Sequence, residues 1–281
     1  MSEDRAPRRD PEVDAVRTIL WFRTLGERLG SHTPREIQRV IDPATSGKDS
    51  SGEPIRNNKF LGYSKGEHVP QARLVQRAAQ VAPHSAYYLN HPLWQVLRTS
   101  APVHRTAHKW VRELAPEIQL IVLSLQGKLA PSAGQHTLGA LERRAGLDSL
   151  AALTILFRLN QEHGQKEWAW DCAVSIFRVL LLLGPWLEIR LVDMKIFKIY
   201  VERVFSHTTL DGKQMELERY DYPTRALLLQ MLADELKECF AGQRERKMPH
   251  FYALQVLDGK RQQSAARCFQ IPVRNLGDEC S

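Results

Sequence analysis

The chain has 281 residues, enough for one large domain or two smaller ones, and its 43% hydrophobic and 25% charged residues exclude an intrinsically disordered protein. The net charge is +7, from 39 basic and 32 acidic residues. The first ten residues are charged and polar, unlike a secretory signal, and the longest apolar stretch, 173–187, is shorter than a membrane span and contains Arg178. Composition therefore predicts a soluble protein that does not insert into a membrane.

The N-terminal part predicts two helices and a loop. Residues 1–12 combine prolines with alternating charges and are predicted to form a disordered tail. From Val13 to Gly30 apolar residues recur at helical spacing. The string Thr33-Pro34-Arg35-Glu36 predicts a second helix start, with a threonine cap, a proline at the first helical position and a glutamate that completes a capping box. Residues 42–57, rich in Pro, Gly and Ser, predict a flexible loop.

Two more helices and an aromatic-rich segment are predicted before residue 100. Phe60 and Tyr63 belong to a short helix that ends at Gly66, and residues 70–81 form the next helix. The aromatic-rich segment 84–97 is expected to lock the preceding helices together.

The remaining chain, 101–281, is also predicted to be helical. Apolar periodicity predicts helices at 110–125, 138–145, 149–160, 168–183, 189–204 and 223–240. We expect Gly184-Pro185 to end one of these helices. The segments 251–257 and 268–273, around Asp258-Gly259, predict either a small hairpin or short helices.

The four cysteines favour a reducing compartment. They are Cys172, Cys239, Cys268 and Cys280, and no two stand in a CxxC pair, which argues against a structural zinc site. Without a secretion signal, they predict reduced thiols in a cytoplasmic protein. Cys172 and Cys239 lie in apolar helical patterns and are predicted to be core residues.

The positive charge is concentrated in one region. Residues 54–112 carry nine basic residues and one acid, Glu67, a net charge of +8, so the rest of the chain is nearly neutral. Such a field attracts polyanions, and nucleic acid is the expected one. The alternatives are a solvated basic surface or one that pairs with an acidic neighbouring domain.

A motif lies within this basic region. The string from Phe60 to Pro70, FLGYSKGEHVP, followed by Leu74-Val75 and Ala78, resembles part of a Xre or Cro/C1-type helix-turn-helix. In that family an aromatic near the end of the recognition helix precedes a Gly-x-x-x-Pro turn, and Tyr63, Gly66 and Pro70 hold those places here. The wider combination with His91-Pro92-Leu93-Trp94 is similar to a set of uncharacterised bacterial proteins, which implies a bacterial source.

The resemblance implies a helix-turn-helix-like N-terminal domain, which we place over 13–100. Together with the helical domain predicted over 101–281, it gives a mainly α fold. It places the first helix of the motif at 33–41 and the recognition helix at 57–63. The roughly fifteen residues between them, 42–56, depart from the family's tight turn. A loop of this length either moves the second helix away from the groove or itself contacts phosphate.

The same resemblance assigns the DNA-binding residues. Asn57, Asn58 and Lys59 would lie at the end of the recognition helix that reaches base edges. Phosphates would be bound by a second set of side chains: Arg56, Lys65 and Arg73. The alternative for Asn57 and Asn58 is that each caps a helix.

No catalytic, metal or cofactor site is predicted. His104 and His108 stand four residues apart but lack the acid of a HExxH site. Glu188 and Asp193 are more simply ion-paired with neighbouring bases such as Arg190 than catalytic. The loop containing His207, Asp211 and Glu216 is explained as a polar turn around Asp211-Gly212.

Three functions follow as hypotheses. The first is a bacterial cytoplasmic DNA-binding protein, regulatory or defence-related and non-enzymatic, which contacts duplex DNA through residues 54–112 and dimerises or binds a partner protein through its C-terminal domain. The second is a protein-interaction component of a multi-protein assembly, with the helix-turn-helix-like fold as scaffolding. The third is an enzyme acting on nucleic acid, with the acids near Glu188 or the loop near His207 as its site.

Overall fold

The fold is mainly α-helical, as the sequence predicts. A computed structural model describes residues 9–31, 33–43, 58–129, 134–240, 250–260 and 263–276. The helices are α1 (Pro11–Leu29), α2 (Pro34–Ile41), α3 (Lys59–Lys65), α4 (Ala72–Val81), α5 (Ser85–Asn90), α6 (Pro92–Arg98), α7 (Ala107–Arg112), α8 (Pro116–Val122), α9 (Gln135–Arg143), α10 (Leu147–Glu162), α11 (Lys166–Ile189), α12 (Asp193–Arg203), α13 (Asp221–Cys239), α14 (Phe251–Leu257) and α15 (Gln263–Ala266). The strands are β1 (Thr209–Leu210), β2 (Lys213–Met215) and β3 (Val273–Asn275).

Local signals place the first two helices. The Asp10 side chain accepts a hydrogen bond from the Val13 N–H and caps α1, and Pro11 occupies the first turn. The predicted tail 1–12 therefore ends too late, since Pro11 is already helical; residues 1–8 lie outside the described part of the chain. The capping box between Thr33 and Glu36 is present at the start of α2.

The first five helices enclose a small apolar core. α1 contributes Trp21, Phe22 and Leu25, which meet buried side chains from the four helices that follow. The remaining members are Ile37, Ile41, Phe60, Tyr63, Leu74, Val75, Ala78, Ala82 and Leu89. This core holds α3 and α4, the segments that carry the helix-turn-helix resemblance.

A larger apolar core occupies the rest of the molecule. α10 and α11 pack extensively against each other, and α6–α9 and α12–α14 surround them. The first half of α1 also contributes, through Val13, Val16, Ile19 and Leu20. α6, which precedes residue 100, belongs to this larger core, so α1 and α6 join the two halves of the molecule.

Several predicted boundaries in the C-terminal half are wrong. The helix predicted over 110–125 is two helices, because Pro116 begins α8 after a turn. α11 continues through Pro185 to Ile189 instead of ending at Gly184. Cys172 is buried, and burial raises the pKa of its thiol to about 12, but Cys239 is exposed rather than a core residue.

The small sheet does not contain the hairpin that residues 251–257 and 268–273 offered as one alternative. Residues 251–257 are helix α14, so of the two alternatives there the short helices are correct. The hairpin is β1–β2, which turns at Asp211 and Gly212, both with positive φ. β3 pairs antiparallel with β2, bringing Arg274 opposite Gln214.

α11 is the one helix in the described ranges that is long and apolar enough to cross a membrane. However, 67% of its most apolar window is buried inside the protein. This burial is typical of the core helix of a soluble protein.

A candidate nucleic-acid interface

Aromatic packing fixes α3 on α1. Tyr63 and Phe60 are each 1% exposed, and the Tyr63 ring meets Trp21 edge-on at 6.0 Å and Phe60 at 5.6 Å between centroids. Burial, and then the charge of Asp42, raises the pKa of the Tyr63 hydroxyl. With this side of α3 buried, the opposite side exposes Asn58, Leu61 and Lys65.

A tight turn follows α3. Gly66 has φ 76° and its N–H bonds back to the helix, while the Glu67 N–H bonds the Gly62 carbonyl at 2.9 Å. A Cβ on Gly66 would stand 2.8 Å from the Cα and the carbonyl oxygen of Ala15 in α1. Glycine is therefore required here for both its conformation and its lack of a side chain.

The turn reaches α4 slightly later than predicted. α4 begins at Ala72 rather than at Pro70, which is buried before it. The helix is joined to the end of α2 by an ion pair between Arg77 and Asp42 at 2.7 Å. α2 packs against both α3 and α4 despite the long connection between α2 and α3; residues 44–57 of that connection lie outside the described ranges.

Asn58 is exposed at the start of α3. It occupies the N-cap position, yet its side chain makes no capping hydrogen bond. Lys59, next to it, is half-buried. The other two candidates at this end, Arg56 and Asn57, lie outside the described residues, and their roles stay predictions.

Lys65 and Arg73 are both exposed on either side of the turn. The Lys65 Nζ lies 3.9 Å from the Glu67 carboxylate, and its side chain is 57% exposed. An exposed pair at this distance is weak, about 0–1 kcal/mol, and leaves the ammonium accessible to another anion. We call Asn58, Lys65 and Arg73 the α3–α4 patch.

The positive charge of residues 54–112 does not form one face. Arg77 is paired with Asp42, and Arg98 is 12% exposed and bonded to Asp14. A second group of exposed bases lies on and just before α7, which packs against α8 and α10 rather than against α3 or α4. We call this group the α7 patch: Arg105, Lys109 and Arg112.

The metal and catalytic candidates have structural partners or remain apart. Within the described ranges no three His, Cys, Asp or Glu side chains group as metal ligands. His104 approaches Glu162 at 3.4 Å, whereas His108 Nε2 lies 2.9 Å from the Gly127 carbonyl oxygen. Glu188 is exposed, and Arg190 pairs with Glu27 at 2.5 Å instead.

The loop candidates are likewise scattered. His207 is exposed in a short 3₁₀ helix, Asp211 forms the β1–β2 turn, and the Glu216 N–H bonds the Pro272 carbonyl. Asp193 is half-buried at the start of α12. None of these carboxylates lines either of the two clefts that Arg98 borders.

A polar network that the sequence did not predict joins α5, α6, α8 and α10. The Tyr87 hydroxyl donates to Asp148 at 2.6 Å, and the buried His91 ring lies 3.0 Å from the same hydroxyl through Nε2. Two backbone groups complete the network. The Leu93 N–H donates to His91 Nδ1, and the Ala115 N–H donates to the Asp148 carboxylate.

The network has a structural explanation. Burial raises the pKa of Asp148, but hydrogen bonds from His91, Tyr87 and Ala115 outweigh it, so the pKa lies below the ordinary value. The His91-Pro92-Leu93-Trp94 string accordingly caps α6 and anchors the Trp94 indole to the Tyr88 carbonyl at 2.7 Å. The pairing of His91 with an acid 57 positions away has no local sequence signal.

Comparison with known proteins identifies no relative: no family model, curated protein or solved structure matches the chain.

Proposed function

We propose that this protein binds duplex DNA through the α3–α4 patch and acts without catalysing a reaction. The observation that carries the proposal is the exposed side of α3, where Asn58 and Lys65 stand opposite the buried Phe60 and Tyr63, with Arg73 just beyond the turn. Glu67 is the one acid in residues 58–112, and Asp42, which packs nearby, is already paired with Arg77.

The three side chains have different roles in the proposal. The amide of Asn58 reads a base edge in the major groove, where an asparagine bonds adenine in two places. Lys65 and Arg73 bind phosphates and set the orientation of the protein. The packing of α2 against α3 and α4 supports this arrangement, because it keeps the two motif helices together despite their long connection.

The biological setting belongs to the proposal as well. A bacterial, cytoplasmic protein with a regulatory or defence role is consistent with the helix-turn-helix resemblance and with the absence of paired cysteines among Cys172, Cys239 and Cys268. The C-terminal half would dimerise or bind a partner protein. On α13, Leu227 and Met231 are each 60% exposed and one turn apart, which favours such a contact and also the alternative of a protein-interaction component.

The test is fluorescence anisotropy with a labelled duplex of mixed sequence, measured over a series of salt concentrations. The test variant carries Lys65→Glu and Arg73→Glu; the control carries Arg105→Glu and Lys109→Glu on the α7 patch, with the same change in net charge. We expect the wild type and the control to bind with similar affinity. The test variant should bind at least tenfold more weakly, with a log–log salt slope smaller by about 2, because each phosphate contact contributes about 0.9.

Two results would refute the proposal. One is the absence of duplex binding by the wild type at low salt. The other is an equal loss of affinity in both variants, which would indicate attraction by overall charge rather than by the α3–α4 patch. Recovery of a stoichiometric partner protein without nucleic acid would then favour the interaction component.

A further inference from the structure

A basic cleft opens where α6, α10 and α12 of the larger core meet the N-terminal cap of α1, and no residue of the α3–α4 patch lines it. Its volume is about 500 Å³, and its walls come from the end of α6 and the residues after it, from α10, and from α12. One arginine from each of these elements lines it: Arg98, Arg158 and Arg203. The one carboxylate among the lining residues is Asp10.

Two of these arginines have a carboxylate partner. Arg203 donates to both carboxylate oxygens of Asp10, at 2.5 and 3.1 Å, and to the Leu97 carbonyl at 2.7 Å. Arg98 is bonded to Asp14 of α1 through Nη2. Its Nε is buried and has no hydrogen-bond partner in the described structure.

Arg158 has no carboxylate within ion-pair distance among the described residues. It is half-buried, and its Nη atoms donate to the carbonyl oxygens of Thr99 at 2.8 Å and Ala101 at 3.3 Å. Burial lowers the pKa of its guanidinium, and the charge of Glu162 opposes this only in part. A partly desolvated cation with neutral partners is costly, and a bound anion would offset part of that cost.

The remaining lining groups suit a polar ligand. Ser100 and Gln161 are exposed, and His207 stands at the same opening, so hydroxyl, amide and imidazole groups surround the arginines. Arginine binds phosphate in a bidentate manner, with two parallel N–H···O bonds. A cleft of this volume is larger than a phosphate ion and falls in the range of small-molecule sites.

We propose that this cleft binds a small phosphomonoester, up to the size of a nucleoside monophosphate, whose phosphate lies against Arg158 with Arg98 and Arg203 on either side. None of Asn58, Lys65 and Arg73 lines this cleft, so the proposal does not depend on the proposed DNA interface. A phosphomonoester, rather than free phosphate, is favoured because the cleft has room for the organic part beside the arginines.

The test is isothermal titration calorimetry of the full chain with adenosine 5′-monophosphate, inorganic phosphate and adenosine as probes. We expect adenosine monophosphate to bind, inorganic phosphate to bind at least tenfold more weakly, and adenosine to give no heat. Arg158→Gln should weaken adenosine monophosphate at least tenfold. The control Arg105→Gln removes an exposed arginine outside the cleft and should leave the affinity unchanged.

A second variant protects the test against unfolding, because Arg158 also holds two backbone carbonyls. Ser100→Glu adds a carboxylate at the exposed edge of the cleft and should weaken adenosine monophosphate at least tenfold by charge repulsion. The proposal is overturned if adenosine monophosphate does not bind, if folded Arg158→Gln and Ser100→Glu bind it like the wild type, or if adenosine binds equally well. Equal affinity for inorganic phosphate would overturn the phosphomonoester assignment.

Discussion

Gly66 determines how closely α3 approaches α1. Its positive φ ends the helix, and the missing side chain lets the turn lie against Ala15. Gly30 ends α1 in the same left-handed conformation, with φ 61°, but nothing lies within 4 Å of the position of its Cβ. The two glycines therefore separate the effect of conformation from the effect of packing.

This difference gives a prediction for two alanine variants. Gly30→Ala should lower the free energy of unfolding by about 1 kcal/mol, the usual cost of a left-handed alanine. Gly66→Ala should lower it by about 2–4 kcal/mol, because overpacking against Ala15 adds about 1–3 kcal/mol. Urea denaturation followed by circular dichroism measures both, and equal losses would contradict the close approach of Gly66 to α1.

The sequence identifies the basic residues but not their partners. Arg77 and Arg98 count toward the positive charge of residues 54–112, yet they pair with acids 35 and 84 positions away. Such pairing depends on tertiary structure and leaves no local pattern. Lys65 and Arg73, by contrast, are exposed, as the phosphate-binding role predicted for them requires.

At the scale of elements, α11 shows where local rules fail. Gly184-Pro185 predicts a helix end, but α11 continues through Pro185 to Ile189. Tyr222 of α13 donates its hydroxyl to the Leu180 carbonyl at 2.8 Å, and a Cβ on Gly184 would stand 2.6 Å from the Ala226 Cβ. Gly184 thus allows α13 to pack closely at the proline.

The contact between α11 and α13 predicts a coupling between two substitutions. Gly184→Ala should destabilise the protein by about 1–3 kcal/mol through overpacking, less any gain in helix propensity. Ala226→Gly should cost about 1 kcal/mol. In the double variant Gly184→Ala/Ala226→Gly the lost methyl makes room for the added one.

A double-mutant cycle by urea denaturation measures this coupling. The double variant should be more stable than the sum of the single effects by about 1–2 kcal/mol. Additive effects would show that the helices do not meet at these two residues.

Sequence patterns predict elements well where the signal is local. The capping box at Thr33 and the glycine at the end of α3 are local, and both are confirmed. The segment 251–257 left strand and helix open, because a short apolar run fits either. The pairing of β3 with β2 joins segments about 60 positions apart, which periodicity cannot predict.

At the scale of the whole molecule, α1 joins the two cores. Its apolar residues enter both, and ion pairs hold its two ends to the C-terminal half: Asp10–Arg203, Glu12–Lys198 and Glu27–Arg190. The N-terminal helices are therefore joined to the rest of the protein by both apolar packing and ion pairs along α1. The domain boundary predicted near residue 100 stays a prediction. α6, which lies before it in the sequence, packs with the larger core.

At this scale the described basic residues of 54–112 are divided among three places. Part of the positive region is used in internal ion pairs, part lies on the α7 patch, and part lies on the α3–α4 patch. The central claim is that duplex DNA contacts the α3–α4 patch and not the α7 patch.

The most direct measurement is the rate of lysine acetylation in the wild-type protein, with and without duplex DNA, followed by mass spectrometry. Lys65 and Lys109 are both exposed and lie on different patches, so each serves as the control for the other. We predict that DNA slows the acetylation of Lys65 and leaves that of Lys109 unchanged. Unchanged rates at both lysines, or protection of Lys109 alone, would contradict the account.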